Sequence, residues 1–155
     1  MKTVLMPLIL VLACLGGCAT VTSDGGEPQV LDAQSAQRLH LRDWDLKGMT
    51  VDGRQIVIDV DTRITIRFAP EGQVGGLAAV NRFSGGYTLS ADGKLGWGKP
   101  GFVSTRMAGP PELMEKERDF LSGLPKTNVA ILARRVLVLQ SEDASTVLTF
   151  REVGY

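Results

Sequence analysis

The sequence predicts an α+β fold, in which a curved antiparallel β-sheet, shaped as a partial barrel, has one helix packed across it. Short stretches that alternate between apolar and polar residues recur along most of the chain, and turn-forming Gly, Pro and Asp residues separate them. One stretch with helical periodicity lies between these strands, an order typical of an α+β domain. Apolar residues form 44% of the 155 residues, which suffices for one core.

The predicted strands lie on both sides of the helix. The clearest alternation places Ile64, Ile66 and Phe68 on one face of a strand. An Asp92-Gly93 pair is typical of the turn in a β-hairpin. The predicted strands are residues 44–46, 56–58, 63–68, 73–80, 87–90, 94–97, 101–107, 128–133, 136–140 and 146–150. Gly and Ala residues in the 73–80 strand indicate a bulge or a close approach of two backbones.

The helix is predicted to begin at Pro110 and to end at Gly123 and Pro125. Glu117 falls in the middle of its apolar arc rather than on its polar side. An unpaired buried carboxylate is costly, so we expect a partner for it. Arg106 is the first candidate and Arg82 the second; a functional acid and simple exposure at the helix edge are the alternatives. The apolar arc consists of Leu113, Met114, Phe120, Leu121 and Leu124.

Residues 1–17 have the pattern of a secretory signal, with a lysine at the start, a short apolar run and small residues before the cleavage point. The end of this run resembles a bacterial lipobox, in which Cys18 is acylated and becomes the mature N-terminus. Cys14 closes a second motif that we consider less favourable, and an ordinary cleaved signal is the remaining alternative. Residues 18–40 are predicted to form a flexible tether, and residues 41–155 the folded domain.

Acylation of Cys18 would remove Cys14 with the signal and leave no free thiol or intrachain disulfide. The residue after the acylated cysteine is Ala19, which resembles the outer-membrane sorting signal. We therefore expect an outer-membrane lipoprotein that faces the periplasm and is held by its acyl chains.

The most distinctive stretch is residues 81–87. Gly85 and the glycine after it would permit positive φ in a tight turn, where Asn81 and Ser84 could bond to unpaired backbone groups. The aromatic residues of this stretch supply apolar mass, and the hydroxyl of Tyr87 is expected at a polar rim. We expect the stretch to define the fold, with a ligand-contacting or partner-contacting surface as the alternative.

Three ordered blocks, at residues 81–87, 104–108 and 114–121, resemble the META domain (DUF306) family, which includes heat-inducible HslJ-like bacterial lipoproteins. The resemblance runs from about residue 43 to residue 150 and implies the fold predicted above, which is similar to that of lipid-binding secretin pilotins. It also implies a link to stress tolerance, but no defined biochemical activity. The candidate site residues, with structural or binding roles, are Asn81, Arg82, Phe83, Ser84, Gly85, Tyr87, Ser104, Thr105, Arg106, Met107, Met114, Glu115 and Glu117.

The chain departs from the family pattern at two positions. Many members have cysteines where this chain has Val80 and Gly109. Their joint loss is expected if those cysteines pair as a disulfide, so the resemblance implies that packing alone holds this corner here.

We do not expect an enzyme, a cofactor or a metal site. The mature chain has no cysteine nucleophile, metal cluster or phosphate loop, and Ser84 and Ser104 have no plausible base. The only histidine, His40, is predicted at the end of the tether. Removal of Lys2 leaves 16 basic against 17 acidic residues, so no basic surface for nucleic acid is predicted.

Two functions of different classes remain. The preferred one is an interaction module for an envelope protein, monomeric and tethered, that supports envelope integrity under stress. The alternative is a carrier for a lipid or an apolar peptide. Its ligand would lie in an apolar cleft lined by Met107, Met114 and residues 75–79.

Overall fold

The structure is a computed structural model that describes residues 26–154. The predicted signal segment, Cys14 and Cys18 lie outside the described residues. Within residues 26–154, no helix is both long enough and apolar enough to cross a bilayer.

One α-helix and a set of short strands make up the described part of the chain. The helix α1 is Pro111–Gly123, and single 3₁₀ turns cover Ala36–Leu39 and Leu124–Lys126. The strands are β1 Gln29–Val30, β2 Trp44–Val51, β3 Arg54–Ile56, β4 Ile64–Phe68, β5 Gln73–Ala78, β6 Asn81–Leu89, β7 Leu95–Trp97, β8 Val103–Ser104, β9 Val129–Ala133, β10 Val136–Gln140 and β11 Val147–Glu152.

All of these strands join one antiparallel sheet with the order β1-β9-β10-β11-β2-β4-β5-β6-β7, in which β3 pairs with β2 and β8 with β6. The β7 end of the sheet approaches β9, the strand next to the opposite end, through an isolated bridge between Lys94 and Val129. The N–H of Leu95 donates to the carbonyl of Asn128 at 2.8 Å beside it. The contact does not extend into a ladder, so the sheet is a partial barrel, which confirms the predicted fold class.

The helix α1 packs across the inside of this curved sheet. Phe120 is fully buried, and its ring centre lies 5.5 Å from that of Phe83 and 6.5 Å from that of Phe150. Trp44 and Phe68 are also fully buried between the strands and contribute the largest side chains of the core. Aromatic rings that meet edge to face and exclude water therefore hold the helix against the sheet.

The predicted tether is wrong for residues 29–40. The strand β1 pairs with β9, and Leu31 and Leu39 are 0% exposed in the core. Asp32 and Ser35 form a compact turn between them, in which the Ser35 N–H donates to the Asp32 carboxylate at 2.9 Å. Two apolar residues eight positions apart give no periodic pattern, so the sequence alone does not indicate that this segment packs on the domain.

Two further predictions are wrong, one on the conformation of residues 81–87 and one on the length of the strand at residues 101–107. Residues 81–87 lie in the nine-residue strand β6 and not in a tight turn, and neither Gly85 nor Gly86 has positive φ. The predicted 101–107 strand is reduced to the two residues of β8, although the chain stays close to β6 beyond it.

Candidate functional site

Asn81 connects three elements that are distant in sequence. Its Oδ1 accepts hydrogen bonds from the Thr105 hydroxyl and the Met107 N–H, both at 2.7 Å. Its Nδ2 donates to the carbonyl of Met107 at 3.1 Å and to Oε1 of Glu117 at 2.8 Å. We call these four residues the Asn81 node. Because the donors and acceptor of the Asn81 amide are used in this way, its orientation is fixed.

The carboxylate of Glu117 is the buried charge of this node. Its side chain is 6% exposed, and its Oε2 accepts the backbone N–H groups of Asn81 at 2.7 Å and Val80 at 3.2 Å. The predicted arginine partner is wrong, because both Arg82 and Arg106 are exposed and N–H groups bind the carboxylate instead. A carboxylate that accepts several N–H bonds can remain charged without a cation, so the node needs no ion pair.

The turn between β5 and β6 is strained at the point that Glu117 holds. Ala79 has a φ of 70°, and the Val80 N–H donates to the carbonyl of Ala78 at 3.0 Å, which is the pattern of a γ-turn. An L-residue pays about 1–2 kcal/mol for such a conformation. Glu117 therefore stabilises a turn whose own backbone geometry is unfavourable.

The glycines of β6 make room for an aromatic cluster. A Cβ built on Gly85 would lie 2.7 Å from Cδ1 of Phe102, whereas one on Gly86 meets its nearest atom, in Gly98, at 3.5 Å. The Phe102 ring packs against Phe83 and Trp97, with ring centres 5.7 and 5.3 Å away. Gly85 is thus required for close packing and not for a special φ.

Tyr87 connects this strand to the segment that was predicted to be a tether. Its hydroxyl donates to the carbonyl of Ala69 at 3.2 Å and lies 2.7 Å from Nε2 of His40. Burial, followed by the charge of Glu71, raises the pKa of the Tyr87 hydroxyl. The only histidine is therefore a partner of the folded domain, contrary to the expectation that it lies outside it.

The β8 edge, which we define as residues 103–108, is exposed along its length. The Thr105 N–H donates to the carbonyl of Arg82 at 3.0 Å, so Thr105 faces β6. Neighbouring residues of an antiparallel strand face opposite sides of the ladder, so the backbone N–H and C=O groups of Ser104 and Arg106 point away from the sheet. Val103 and Met107 are 69% and 56% exposed beside them.

A shallow groove crosses the outer face of β4, β5, β6 and β8. It consists of two adjoining clefts of about 490 and 430 Å³ that share Gly76, Arg82 and Ser84. On one wall, Nε and Nη2 of Arg67 donate to the two carboxylate oxygens of Asp43 at 2.7 and 2.6 Å. Neither cleft is lined by Met107 or Met114, so the groove does not combine the residues predicted to form an apolar cleft.

The floor of the groove confirms the predicted close approach of backbones. A Cβ on Gly76 would lie 1.9 Å from the carbonyl oxygen of Thr65 on the neighbouring strand. Only glycine fits this position without moving β4.

The candidate residues from the sequence separate into three groups in the structure, which are buried, half-buried and exposed. Asn81, Phe83, Tyr87 and Glu117 are buried and serve the fold, and Gly85 and Met114 are half-buried. The remaining candidates lie at the surface: Arg82, Ser84, Ser104, Thr105, Arg106, Met107 and Glu115. Sequence reasoning missed the outward backbone of the β8 edge, because no residue pattern reports which side of a ladder is left unpaired. Among residues 26–154, no cluster of His, Cys, Asp and Glu side chains is placed to hold a metal ion.

Comparison with known proteins agrees with this architecture. An NMR structure of a protein from Burkholderia xenovorans has a TM-score of 0.64 at 24% identity and covers 86% of this chain and 96% of that one. A second NMR structure has a TM-score of 0.52 at 27% identity, covering 74% and 92%. A crystal structure of a DUF4847 family protein from Bacteroides vulgatus has a TM-score of 0.53 at 12% identity, covering 74% and 94%.

No curated protein sequence matches this chain. The sequence profile of the META domain matches residues 37–154, which confirms the resemblance drawn from the three sequence blocks. The chain belongs to the META domain family.

Proposed function

We propose that this protein is an acylated outer-membrane lipoprotein whose META domain is not an enzyme and binds an extended segment of an envelope protein. The observation that carries the proposal is the β8 edge, where the outward backbone groups of Ser104 and Arg106 are available to a further strand. In this function the acyl chains on Cys18 keep the domain at the membrane, and the edge contacts the partner in the periplasm.

An unprotected edge is a known docking element. Exposed sheet edges are templates for pairing, and proteins usually cover or blunt them unless they are used. An extended peptide that adds to an edge gains main-chain hydrogen bonds, and side-chain contacts then provide specificity. The Asn81 node supports this role, since its bonds to Thr105 and Met107 hold the edge in an extended form before a partner arrives.

The side chains along the β8 edge indicate the chemistry of the partner. Val103 and Met107 offer apolar surface, and Met adapts to partners of irregular shape. Arg82 and Arg106 are exposed, and neither has an ion-pair partner within residues 26–154. A segment with alternating apolar and acidic residues fits this edge best.

The experiment is site-specific photocrosslinking in the envelope with a photoreactive residue at Met107. A discrete crosslinked species is expected. A Ser104→Pro variant removes the outward N–H and should lose that species, whereas the matched Ser104→Ala variant retains the N–H and should keep it. A species that persists in Ser104→Pro, or no reproducible species from Met107, would overturn the edge-binding function.

The anchor is tested separately. A Cys18→Ala chain should leave the membrane fraction and change its electrophoretic mobility. Retention in the membrane fraction with unchanged mobility would contradict acylation at this residue. The alternative carrier function was predicted to use an apolar cleft lined by Met107, Met114 and residues 75–79, and the clefts lined by Gly75 and Gly76 contain neither methionine.

A further inference from the structure

We infer that a second surface of this domain, at the β9–β10 turn, binds the anionic phospholipid headgroups of the membrane that holds the anchor. The surface is an arginine cluster, defined as Arg42, Arg134, Arg135 and Arg151. The inference rests on the acylation of Cys18 in the proposed function, and it concerns residues outside the β8 edge.

Three residues of the arginine cluster line a cleft of about 530 Å³ at the end of the sheet, and Arg42 lies beside them through its ion pair with Glu152. Arg134 and Arg135 form the turn between β9 and β10, and Arg151 lies near the end of β11. Arg134 and Arg151 are exposed, and neither has a side-chain partner within residues 26–154. Their guanidinium groups are therefore available to a ligand.

The carboxylates near the cluster do not balance its charge. Oε2 of Glu152 lies 3.1 Å from Nη1 of Arg42 and 3.6 Å from Nε of Arg135, so one carboxylate serves two arginines. Asp45 faces Arg151 across the β2–β11 ladder, but its carboxylate binds Lys47 at 2.5 Å.

Asp43 follows Arg42 in the sequence, but its carboxylate binds Arg67. Glu27 is the remaining acidic residue close in sequence to this end, and it is exposed. Counting both glutamates leaves two positive charges unbalanced in the cluster, whereas the mature chain as a whole has 16 basic and 17 acidic residues. The cluster is therefore a local concentration of positive charge and does not reflect the overall composition.

The chain enters the domain at this same end. The register of β1 on β9, with Gln29 opposite Leu132, leads the preceding residues toward the β9–β10 turn. The backbone of Gly26 packs directly against the side chain of Arg134, where a built Cβ would lie 2.1 Å from Nε. Eight Cα-to-Cα steps separate Cys18 from Gly26. They span at most about 29 Å when fully extended, so an acylated Cys18 keeps the cluster near the membrane.

Phosphate groups are the ligands that suit this cluster. Guanidinium groups bind phosphate oxygens through paired N–H donors. Basic side chains close to an anionic bilayer are attracted to it within a Debye length of about 10 Å at 0.1 M salt. A membrane-proximal arginine cluster should thus orient the domain on the membrane and set which surface faces away from it.

The test uses the acylated full chain reconstituted in phosphatidylethanolamine vesicles, with or without phosphatidylglycerol. Arginine side chains are labelled with phenylglyoxal, and the rate at each arginine is measured by mass spectrometry. Phosphatidylglycerol should slow the labelling of Arg134 and Arg151, and high salt should reverse this. Arg63 and Arg118, which are exposed elsewhere, serve as internal controls whose rates should not change.

A paired variant tests whether charge causes the effect. In Arg134→Ser with Arg151→Ser, the ratio of docked to undocked domain should fall about fivefold for each arginine removed. Labelling of Arg135 should then recover in phosphatidylglycerol vesicles. The matched variant Arg63→Ser with Arg118→Ser has the same net charge and should dock as the parent does.

The outcomes separate the two proposals. Equal labelling in both vesicle types, with the chain still in the vesicle fraction, would overturn the inference and leave the anchor intact. Slow labelling of Arg134 and Arg151 in vesicles without phosphatidylglycerol would show that these arginines lie near the membrane without recognising its charge. This result would also overturn the inference. A mature mass without acyl chains, with the chain outside the vesicle fraction, would refute the anchor and, with it, the inference.

Discussion

Removing the carboxylate of Glu117 should destabilise the domain strongly, because it is the buried charge of the Asn81 node. The carboxylate accepts three N–H bonds, from Val80, from the backbone of Asn81 and from the Asn81 amide. Hydrogen bonds to a charged group contribute about 1.5 kcal/mol or more each, which gives a gross loss of about 4–5 kcal/mol. Glu117→Ala also removes the cost of burying a charge, which offsets part of this loss. The net fall in the free energy of unfolding should therefore be about 3–4 kcal/mol.

The conservative variant Glu117→Gln provides a sharper test. Both carboxylate oxygens accept hydrogen bonds, so the amide nitrogen of a glutamine must face a donor. The Asn81 amide cannot rotate to relieve this, because its Oδ1 already binds Thr105 and Met107. We expect Glu117→Gln to cost about 2 kcal/mol, between the parent and Glu117→Ala.

Urea unfolding measures these free energies, and thermal unfolding should show the same order. For a domain of this size, a loss of 3–4 kcal/mol corresponds to a fall in Tm of roughly 10–15 °C. Arg106→Ala and Arg82→Ala are the controls and should change the free energy of unfolding by less than about 0.5 kcal/mol. The geometry of the node would be refuted by a Glu117→Ala protein whose free energy of unfolding lies within 1 kcal/mol of the parent, which is about a quarter of the expected loss. An arginine variant that is as destabilised as Glu117→Ala would also refute it.

Three further changes have defined outcomes. Gly85→Ala should lower the free energy of unfolding by about 1–3 kcal/mol through overpacking, whereas Gly86→Ala has room and should cost less than about 1 kcal/mol; equal losses in urea unfolding would contradict this. Ala79→Gly should stabilise the domain by about 1 kcal/mol, because glycine adopts positive φ without strain, and a lower Tm would argue against a strained turn. Hydrogen bonds from the side chains of Lys116 and then Thr62 lower the pKa of Asp59 to about 2. The stability contributed by the ionised Asp59 carboxylate is therefore complete above pH about 4 and is lost as the pH falls through about 2. NMR titration of Lys116→Met should move the Asp59 midpoint back toward its ordinary value of 3.8, and an unchanged midpoint would exclude the lysine as the cause.

The fold was largely predictable because it depends on local patterns. Alternation in the 63–68 stretch reflects one buried and one outer face of β4, and the structure places Ile64, Ile66 and Phe68 in the core. The prolines at the start of α1 and the Asp92-Gly93 turn act within a few residues, so their effects are visible in the sequence. The failures occur where few residues carry the signal, as at Leu31 and Leu39.

The candidate site was less predictable, because the roles of its residues differ from the roles that their residue types suggest. Gly85 indicated a turn, but it is needed because the Phe102 ring lies beside it. Met107 indicated an apolar cleft, yet its backbone binds the side chain of Asn81 and its own side chain is exposed. In each case the contact joins residues that are far apart in the sequence, and residue type does not identify the partner.

The sequence by itself determined the α+β class, the position of the helix, the membership in the META domain family and the burial of a carboxylate at Glu117. These properties follow from periodicity and from short motifs, which depend on neighbours a few positions away. Only the tertiary structure decided that N–H groups bind Glu117, that Ser104 leaves its backbone unpaired, and that Arg42, Arg134 and Arg151 gather where the chain enters. Each of these depends on the register between distant strands, which fixes where donors, edges and charges meet.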